Sequence, residues 1–245
     1  MVNRAEAGYA GRMTPSQQRL SRVDRHLERA VRDLLAHDDR VRGLDVRADF
    51  AGGVAHLTGK VGSPTGLATL RELVGELAGV YAVWSRVRVA GVAPVLLDLG
   101  CGGRKQYPES IGVDRRRTAA VDVLSDVSRG LPFASGTVDA IFAVHVLEHL
   151  FDFLPLVDEC HRVLRPTGTL HLMSPWWGHV NAVADPTHVR LFDVQTVKGI
   201  CQRPGAPRWR TLHAACDGAS VFADLRPLPP DAPDPDPTEL ARFFD

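Results

Sequence analysis

Val95-Leu96-Leu97-Asp98-Leu99-Gly100-Cys101-Gly102-Gly103 is the stretch on which the fold turns. Val95 to Leu97 is a continuous apolar run, as expected of a strand buried on both faces. A glycine-rich turn comes directly after it. Glycine lets the backbone bend sharply and approach a ligand where a Cβ would clash. A ligand held there lies at the carboxyl edge of a parallel sheet. Two common motifs are excluded. A dinucleotide fingerprint, Gly-x-Gly-x-x-Gly, would need glycine where Lys105 stands. A phosphate-binding loop would end in Gly-Lys-Ser/Thr, which is absent. Instead Asp98 stands two residues before Gly100. A carboxylate at a strand end is poorly placed beside phosphates and suits a cationic ligand, such as an ammonium or sulfonium.

Reading onward, Ile111-Gly112-Val113-Asp114 ends a second strand in a carboxylate fourteen residues after Gly100. Such a group can accept from both hydroxyls of a ribose. Doubly wound folds place it about 20 residues beyond the glycines, so the intervening helix is cut to a turn or a loop. Val121 to Val123 is a weak third strand. Asp126 comes after it, where a carboxylate or carbonyl can accept from an exocyclic amine. Val138 to Val144 is a strong fourth strand. Leu154, Leu156, Val157, Cys160, Val163 and Leu164 recur at helical spacing. Arg165 to Gly168 ends that helix with a turn, and Thr169 to Met173 is a fifth strand. Trp209 to Ala215 and Val221 to Leu225 form a final antiparallel hairpin. The tail, 227–245, holds six prolines and is expected to be extended.

Reading back toward the start, Gly91 to Pro94 is a linker short enough that the flanking domains should touch. Before it lies an αββαβ unit over 20–90. Leu20, Val23, Leu27, Val31 and Leu34 mark one stripe of an amphipathic helix. Leu44, Val46, Ala48 and Phe50 alternate with Asp and Arg, a half-buried strand. Gly52-Gly53 suits a tight hairpin, and Val54 to Thr58 returns. Ser63-Pro64 opens the next helix. Val83 to Val89 is the third strand. A unit with its own apolar stripes is expected to fold independently of the domain at 94–226. Residues 1–19 are small and polar, a flexible terminus.

The 245 residues carry 29 Lys+Arg and 29 Asp+Glu with 44% hydrophobic residues. That balance argues against a disordered chain and against a strongly basic nucleic-acid coat. No apolar run reaches the ~20 residues of a membrane span, and no secretory signal opens the chain. Four scattered cysteines (Cys101, Cys160, Cys201, Cys216) fit reduced thiols in a cytoplasm better than disulfides or a zinc ribbon.

The strings "LLDLGCG", "IGVD", "LPFASGTVDAI", "HVLEH" and "HRVLRPTGTLHL" occur in order. Residues 94–226 thereby resemble the class I S-adenosylmethionine-dependent methyltransferases, specifically the type-11-like group. The resemblance implies an α/β fold with a Rossmann-like seven-stranded sheet whose last strand is antiparallel. It implies S-adenosylmethionine as cofactor. Gly100 and Gly102 would line its methionine side, with Asp98 and Cys101 of the same motif beside them. Asp114 would hold the ribose, Asp126 and Val127 the adenine, and His145 would stand at the exit of the fourth strand. The shortened first crossover leaves the role of Arg104 and Lys105 open. In the small N-terminal α+β domain, "GGVAHLTGKV" and "LAGVYAVWSRVRV", with Gly53, Gly59 and Gly79 at turns, are similar to a BON domain. That family is associated with binding membranes, ligands or other proteins, and brings no catalytic residue.

Three further strings surround the site. His145-Val146-Leu147-Glu148-His149 matches the H-x-x-E-H zinc-protease pattern. It is also an ordinary string of the methyltransferase family, so no metal is assigned. Glu148 and His149 then brace the next turn, or His149 faces substrate. Ser174-Pro175-Trp176-Trp177 is similar to a motif of nucleic-acid amino-methylating enzymes but lies after the fifth strand rather than the fourth. With zero net charge, a nucleic-acid partner is disfavoured. Trp176 and Trp177 either wall the substrate pocket or pack under the loop. In "ADPTHVRLF", Asp185 opens an Asx-type turn. His188 or His179 is either a general base or a helix-entry residue.

The expected activity is methyl transfer from S-adenosylmethionine to a small-molecule acceptor. The alternative is a non-catalytic binder of that cofactor, its BON-like domain meeting a ligand, a membrane or a partner. A metallohydrolase built on His145, Glu148 and His149 would require stoichiometric zinc.

Overall fold

In a computed structural model, residues 15–233 and 237–244 are described, with side chains over 22–233 and 241–244. The expectation for residues 1–14 lies outside that range. Residues 15–19, expected to be loose, belong to the first helix, α1 (Pro15–His37). Its Asp24 carboxylate accepts from the Gly52 and Gly53 N–H groups at 3.0 and 2.9 Å, tying the helix to the hairpin tip.

The hairpin joins β1 (Asp45–Ala51) to β2 (Val54–Val61). The alternation read in β1 is borne out by its burial, with Phe50 buried and its neighbours more open. Helix α2 (Pro64–Gly75) is capped by Ser63, whose side chain accepts from the Gly66 N–H. The third strand is broken at Arg86-Val87 into β3 (Ala82–Ser85) and β4 (Arg88–Val89), both parallel to β2.

The second sheet runs β10-β11-β9-β8-β5-β6-β7. Its members are β5 (Leu96–Leu99), β6 (Ile111–Asp114), β7 (Val123–Leu124), β8 (Val138–Val144), β9 (Leu164–Pro175), β10 (Trp209–Cys216) and β11 (Ser220–Pro227). Only β11 runs against the direction of the other six strands, as expected. The turn expected at Arg165 to Gly168 lies within β9. Pairing with β8 jumps from Val138–Leu164 to Ala140–Thr169, so those residues bulge out of the ladder without ending the strand.

One face of this sheet is covered by helices. Leu97, Leu99, Ile141 and Ala143 pack with α3 (Leu154–Val163) and α5 (Val194–Cys201). The tail is not extended to its end. Residues 237–244 form α6 (Pro237–Phe244), which buries Phe244 in the same core and is pinned by Gln195 Nε2 donating to the Phe244 carbonyl at 2.6 Å.

The other face has no helix of its own, because the β5–β6 crossover is irregular throughout, as its length required. The N-terminal sheet covers it. Its inner face packs on α1 and α2 through Leu57, Val83, Leu70 and Val74. Its outer face sets Val54, Ala82 and Trp84 against Leu96, Tyr107, Phe142 and Phe222. Trp84 meets Phe142 edge-on at 5.3 Å. Asp224 Oδ2 accepts from the Val83 N–H at 2.8 Å, and His171 Nδ1 lies 2.6 Å from Asp224 Oδ1. Burial opposes ionisation of Asp224, but His171, Arg71 and that N–H together hold its carboxyl below the usual range. The two units share one buried layer, in keeping with the short linker, and that contact bears directly on whether residues 20–90 fold independently. No helix among the described residues is long and apolar enough to cross a membrane.

Candidate functional site

A cleft of about 360 Å³ opens at the carboxyl ends of β5 to β8, where ligands bind in doubly wound sheets. Its lining brings together six of the residues singled out from the sequence: Gly100, Asp114, Asp126, Val127, His145 and His149.

Gly100 forms the floor with a φ of +62°. A Cβ there would stand 2.8 Å from Val146 Cγ2, so glycine serves both backbone and space. Asp114, at the end of β6, is buried and held by two backbone amides. Gly102 N–H donates to its Oδ2 at 2.9 Å and Arg116 N–H to its Oδ1 at 2.8 Å. Each oxygen keeps a further lone pair for a ligand. Asp126 caps the 3-10 turn Val127–Arg129; its Oδ1 accepts from the Ser128 N–H and hydroxyl at 3.1 and 2.7 Å. Those bonds hold its carboxyl below the usual range.

His145 leaves β8 with a φ of +56°, a conformation uncommon for a side chain with a Cβ. The strain is held by its N–H donating to the Met173 carbonyl at 2.8 Å and by Nδ1 lying 3.1 Å from Glu148 Oε1. Strain of this kind concentrates at functional sites. Glu148 is buried, with Oε2 accepting from the Ser174 hydroxyl at 3.0 Å. Its carbonyl accepts from the Val189 and Arg190 N–H groups at 2.8 and 3.2 Å, docking the "ADPTHVRLF" segment onto the β8 exit. Glu148 therefore braces the site, as one of its two readings held.

The docked segment brings His188 against His149, with ring centroids 4.7 Å apart. Asp185 makes the expected Asx turn, accepting from the Thr187 N–H and hydroxyl at 2.8 and 2.7 Å. Thr187 Oγ1 lies 3.0 Å from His149 Nδ1. Since the Thr187 proton goes to Asp185, its oxygen is left to accept from His149 Nδ1–H, and His149 Nε2 keeps a lone pair. His188 Nδ1 bonds the Ala182 carbonyl at 3.2 Å. Ligand atoms of Glu148, His149 and His188 lie within 4.8 Å of one another, a grouping that replaces His145 by His188 in the zinc-like string. Both Glu148 oxygens are already engaged by His145 and Ser174.

Other candidates fall outside the lining. Asp98 is buried and accepts from the Gln106 N–H, organising the loop after the glycines; burial pushes its carboxyl up to about 6. Cys101 turns its Sγ toward the Ala120 carbonyl at 3.7 Å, and Gly102 stands behind Asp114. His179 caps α4 (Val180–Ala184), accepting from the Asn181 N–H at 3.2 Å. Trp176 and Trp177 both donate to Asp193 Oδ2 at 3.2 Å, so they brace the cap of α5 and do not line the cleft. Trp176 packs into the helical-face core, whereas Trp177 is 56% exposed. Of the lining, Ser125, Thr187, Arg115 and Arg116 were not singled out as binding residues. Thr187 stands between Asp185 and His188 in "ADPTHVRLF".

Residues 97–172 match the family model described as a methyltransferase domain, and residues 23–91 match the BON domain model. A curated Mycolicibacterium smegmatis protein named "Probable S-adenosylmethionine-dependent methyltransferase" is 38% identical over 61 residues. That stretch is 25% of this chain and 24% of the relative, so the chain spans about a quarter of the relative's length. Among solved structures, an S-adenosylmethionine-dependent methyltransferase of Aquifex aeolicus shares 19% identity, covering 54% of this chain and 81% of its own, with a TM-score of 0.41. One of Mesorhizobium loti shares 13%, covering 54% and 90%, with a TM-score of 0.41. Residues 97–172, inside the seven-stranded sheet, thus match a methyltransferase domain, and residues 23–91, the small N-terminal unit, match a BON domain.

Proposed function

We propose that the chain transfers the methyl group of S-adenosylmethionine to a small-molecule acceptor in the cleft between Gly100, Asp114 and His149. The observation that carries this is Asp114, fixed by two backbone N–H groups at the cleft wall with accepting capacity to spare. That suits a ribose diol, which brings two donors. Asp126 and the buried Val127 would take the adenine, one as acceptor and the other as apolar face. Gly100 leaves room beneath the methionine portion. The bound sulfonium supplies an activated methyl with a good leaving group.

The protein's work is then alignment and proton handling. Holding acceptor and methyl in line contributes through proximity. His149 Nε2, its tautomer set by Thr187 and Asp185, is the base for an acceptor that arrives protonated. His188 packs edge-on against that ring and positions it. The adjoining segment exposes Trp177, Val180, Val183, Val189 and Leu191, an apolar rim that favours an acceptor with an aliphatic or aromatic part. All four cysteines are free, which supports a reducing compartment such as the cytoplasm.

Labelled S-adenosylmethionine incubated with the full chain and a small-molecule extract tests this. A labelled low-mass product is expected. His149→Gln should lower kcat by roughly 10²–10⁴-fold, as for loss of a general base, with cofactor affinity kept. Bound cofactor with no labelled product in any fraction would favour the non-catalytic binder.

A further inference from the structure

The two domains enclose a second cavity, of about 560 Å³, within the range of small-ligand sites. No residue lines both it and the cofactor cleft. Its apolar lining includes Leu67 on α2, Val87 before β4, Val89 in β4, and Val95 after the linker. Its polar lining includes Arg71 of α2 and Arg226 of β11, one from each domain, with Asp139, Arg165 and His171.

Asp224 acts on Arg71 through space, but the Nε–H of neither Arg71 nor Arg226 has an acceptor. Arg71 Nη1 donates to Thr169 Oγ1 at 2.9 Å, but its Nε is buried without a partner, as is the Nε of Arg226. The nearby carboxylates are engaged. Asp224 takes the Val83 N–H and His171. Asp139 takes Arg165 and the Val95 N–H. Burial draws Arg71 down to about 10; Asp224 opposes the shift and Arg226 adds to it. A buried donor without an acceptor is costly, and an incoming oxyanion that accepts from it removes that cost.

We propose that this interdomain cavity binds a single-chain organic anion, its oxyanion head between Arg71 and Arg226 and its aliphatic body along Leu67, Val87, Val89 and Val95. A ligand so placed touches both domains and stabilises their union by mass action.

Calorimetry on the full chain with decanoate, decyl phosphate, decan-1-ol and inorganic phosphate tests it. One equivalent of decanoate or decyl phosphate should bind saturably, the tighter of the two identifying the head group. Decan-1-ol and inorganic phosphate should bind at least about tenfold more weakly, because each lacks half of the match. Arg226→Gln should weaken the anion by about tenfold or more. Ala68→Trp, which fills the cavity from α2, should abolish binding. Both variants should keep wild-type affinity for S-adenosylhomocysteine, a control for folding that does not depend on Arg71. The proposal is overturned if neither anion saturates the wild-type chain, if decan-1-ol binds as tightly, or if a folded Ala68→Trp chain keeps full affinity.

Discussion

Deleting the N-terminal domain should unfold the methyltransferase domain. A chain begun at residue 94 loses the layer that covers Leu96, Tyr107, Phe142 and Phe222. Phe142 is 0% exposed and Phe222 2%, so each goes from full burial to water on that face. Burying one such side chain is worth about 1.5–3 kcal/mol, so four are worth roughly 6–12 kcal/mol, an upper estimate. Whole domains are stable by about 5–15 kcal/mol. The loss therefore matches most of the available stability. Asp224 would also lose the Val83 N–H that it accepts. The measurement is denaturant unfolding of the full chain and of residues 94–245, monitored by circular dichroism and tryptophan fluorescence. The full chain should unfold in one cooperative transition. The fragment should show none, or one near zero denaturant. A fragment that unfolds cooperatively with an unchanged midpoint and binds S-adenosylhomocysteine as the full chain does would refute the shared-layer account.

Asp98 makes a pH-dependent contribution. Its carboxyl is raised from 3.8 to about 6 by burial, so the folded chain holds that proton more tightly than the unfolded chain. The stabilisation is fully present below about 3.8 and lost as pH rises through about 6, by roughly 2–3 kcal/mol. Asp98→Asn, which can still accept from Gln106, should flatten unfolding free energy across that window; an unchanged slope would assign it to another group. Trp176→Ala should cost roughly 2–4 kcal/mol of stability, somewhat less than a fully buried tryptophan, while cofactor affinity stays constant. Trp177→Ala should change stability by no more than about 1 kcal/mol. Denaturant midpoints separate these two, and a loss of cofactor affinity in either would restore a place at the cleft.

What the residues revealed in advance depended on whether the signal was local. Val95 to Leu97 is apolar with layers on both sides, so its run reads directly as a buried strand. The spacing from Gly100 to Asp114 announced a missing helix, and the crossover is indeed irregular. The consequence of that missing helix was harder to see, although its trace is present. Ala82-Val83-Trp84-Ser85 is buried at every position, more than one helical layer can cover. The second layer had to come from elsewhere in the chain, and it is the methyltransferase sheet itself. The pairing of His149 with Thr187 spans 38 residues and rests on backbone bonds from Val189 and Arg190 to Glu148, so no periodicity could announce it. Trp176 had two readings open. The choice fell to packing because Asp193, seventeen residues on, offers the acceptor for both indoles. In the tail, the prolines suggested extension, but the last of them opens α6, where proline suits the first helical turn.

The most direct test of the central claim is calorimetric binding of S-adenosylhomocysteine to the wild-type chain and to Asp114→Ala. Wild type should bind one equivalent. Removing a charge-assisted hydrogen-bond acceptor from the ribose should cost roughly 1.5–3 kcal/mol, about 10–150-fold in affinity. An Asp114→Ala chain that folds and binds with wild-type affinity, or a wild-type chain that does not bind at all, would contradict the assignment of this cleft as the cofactor site.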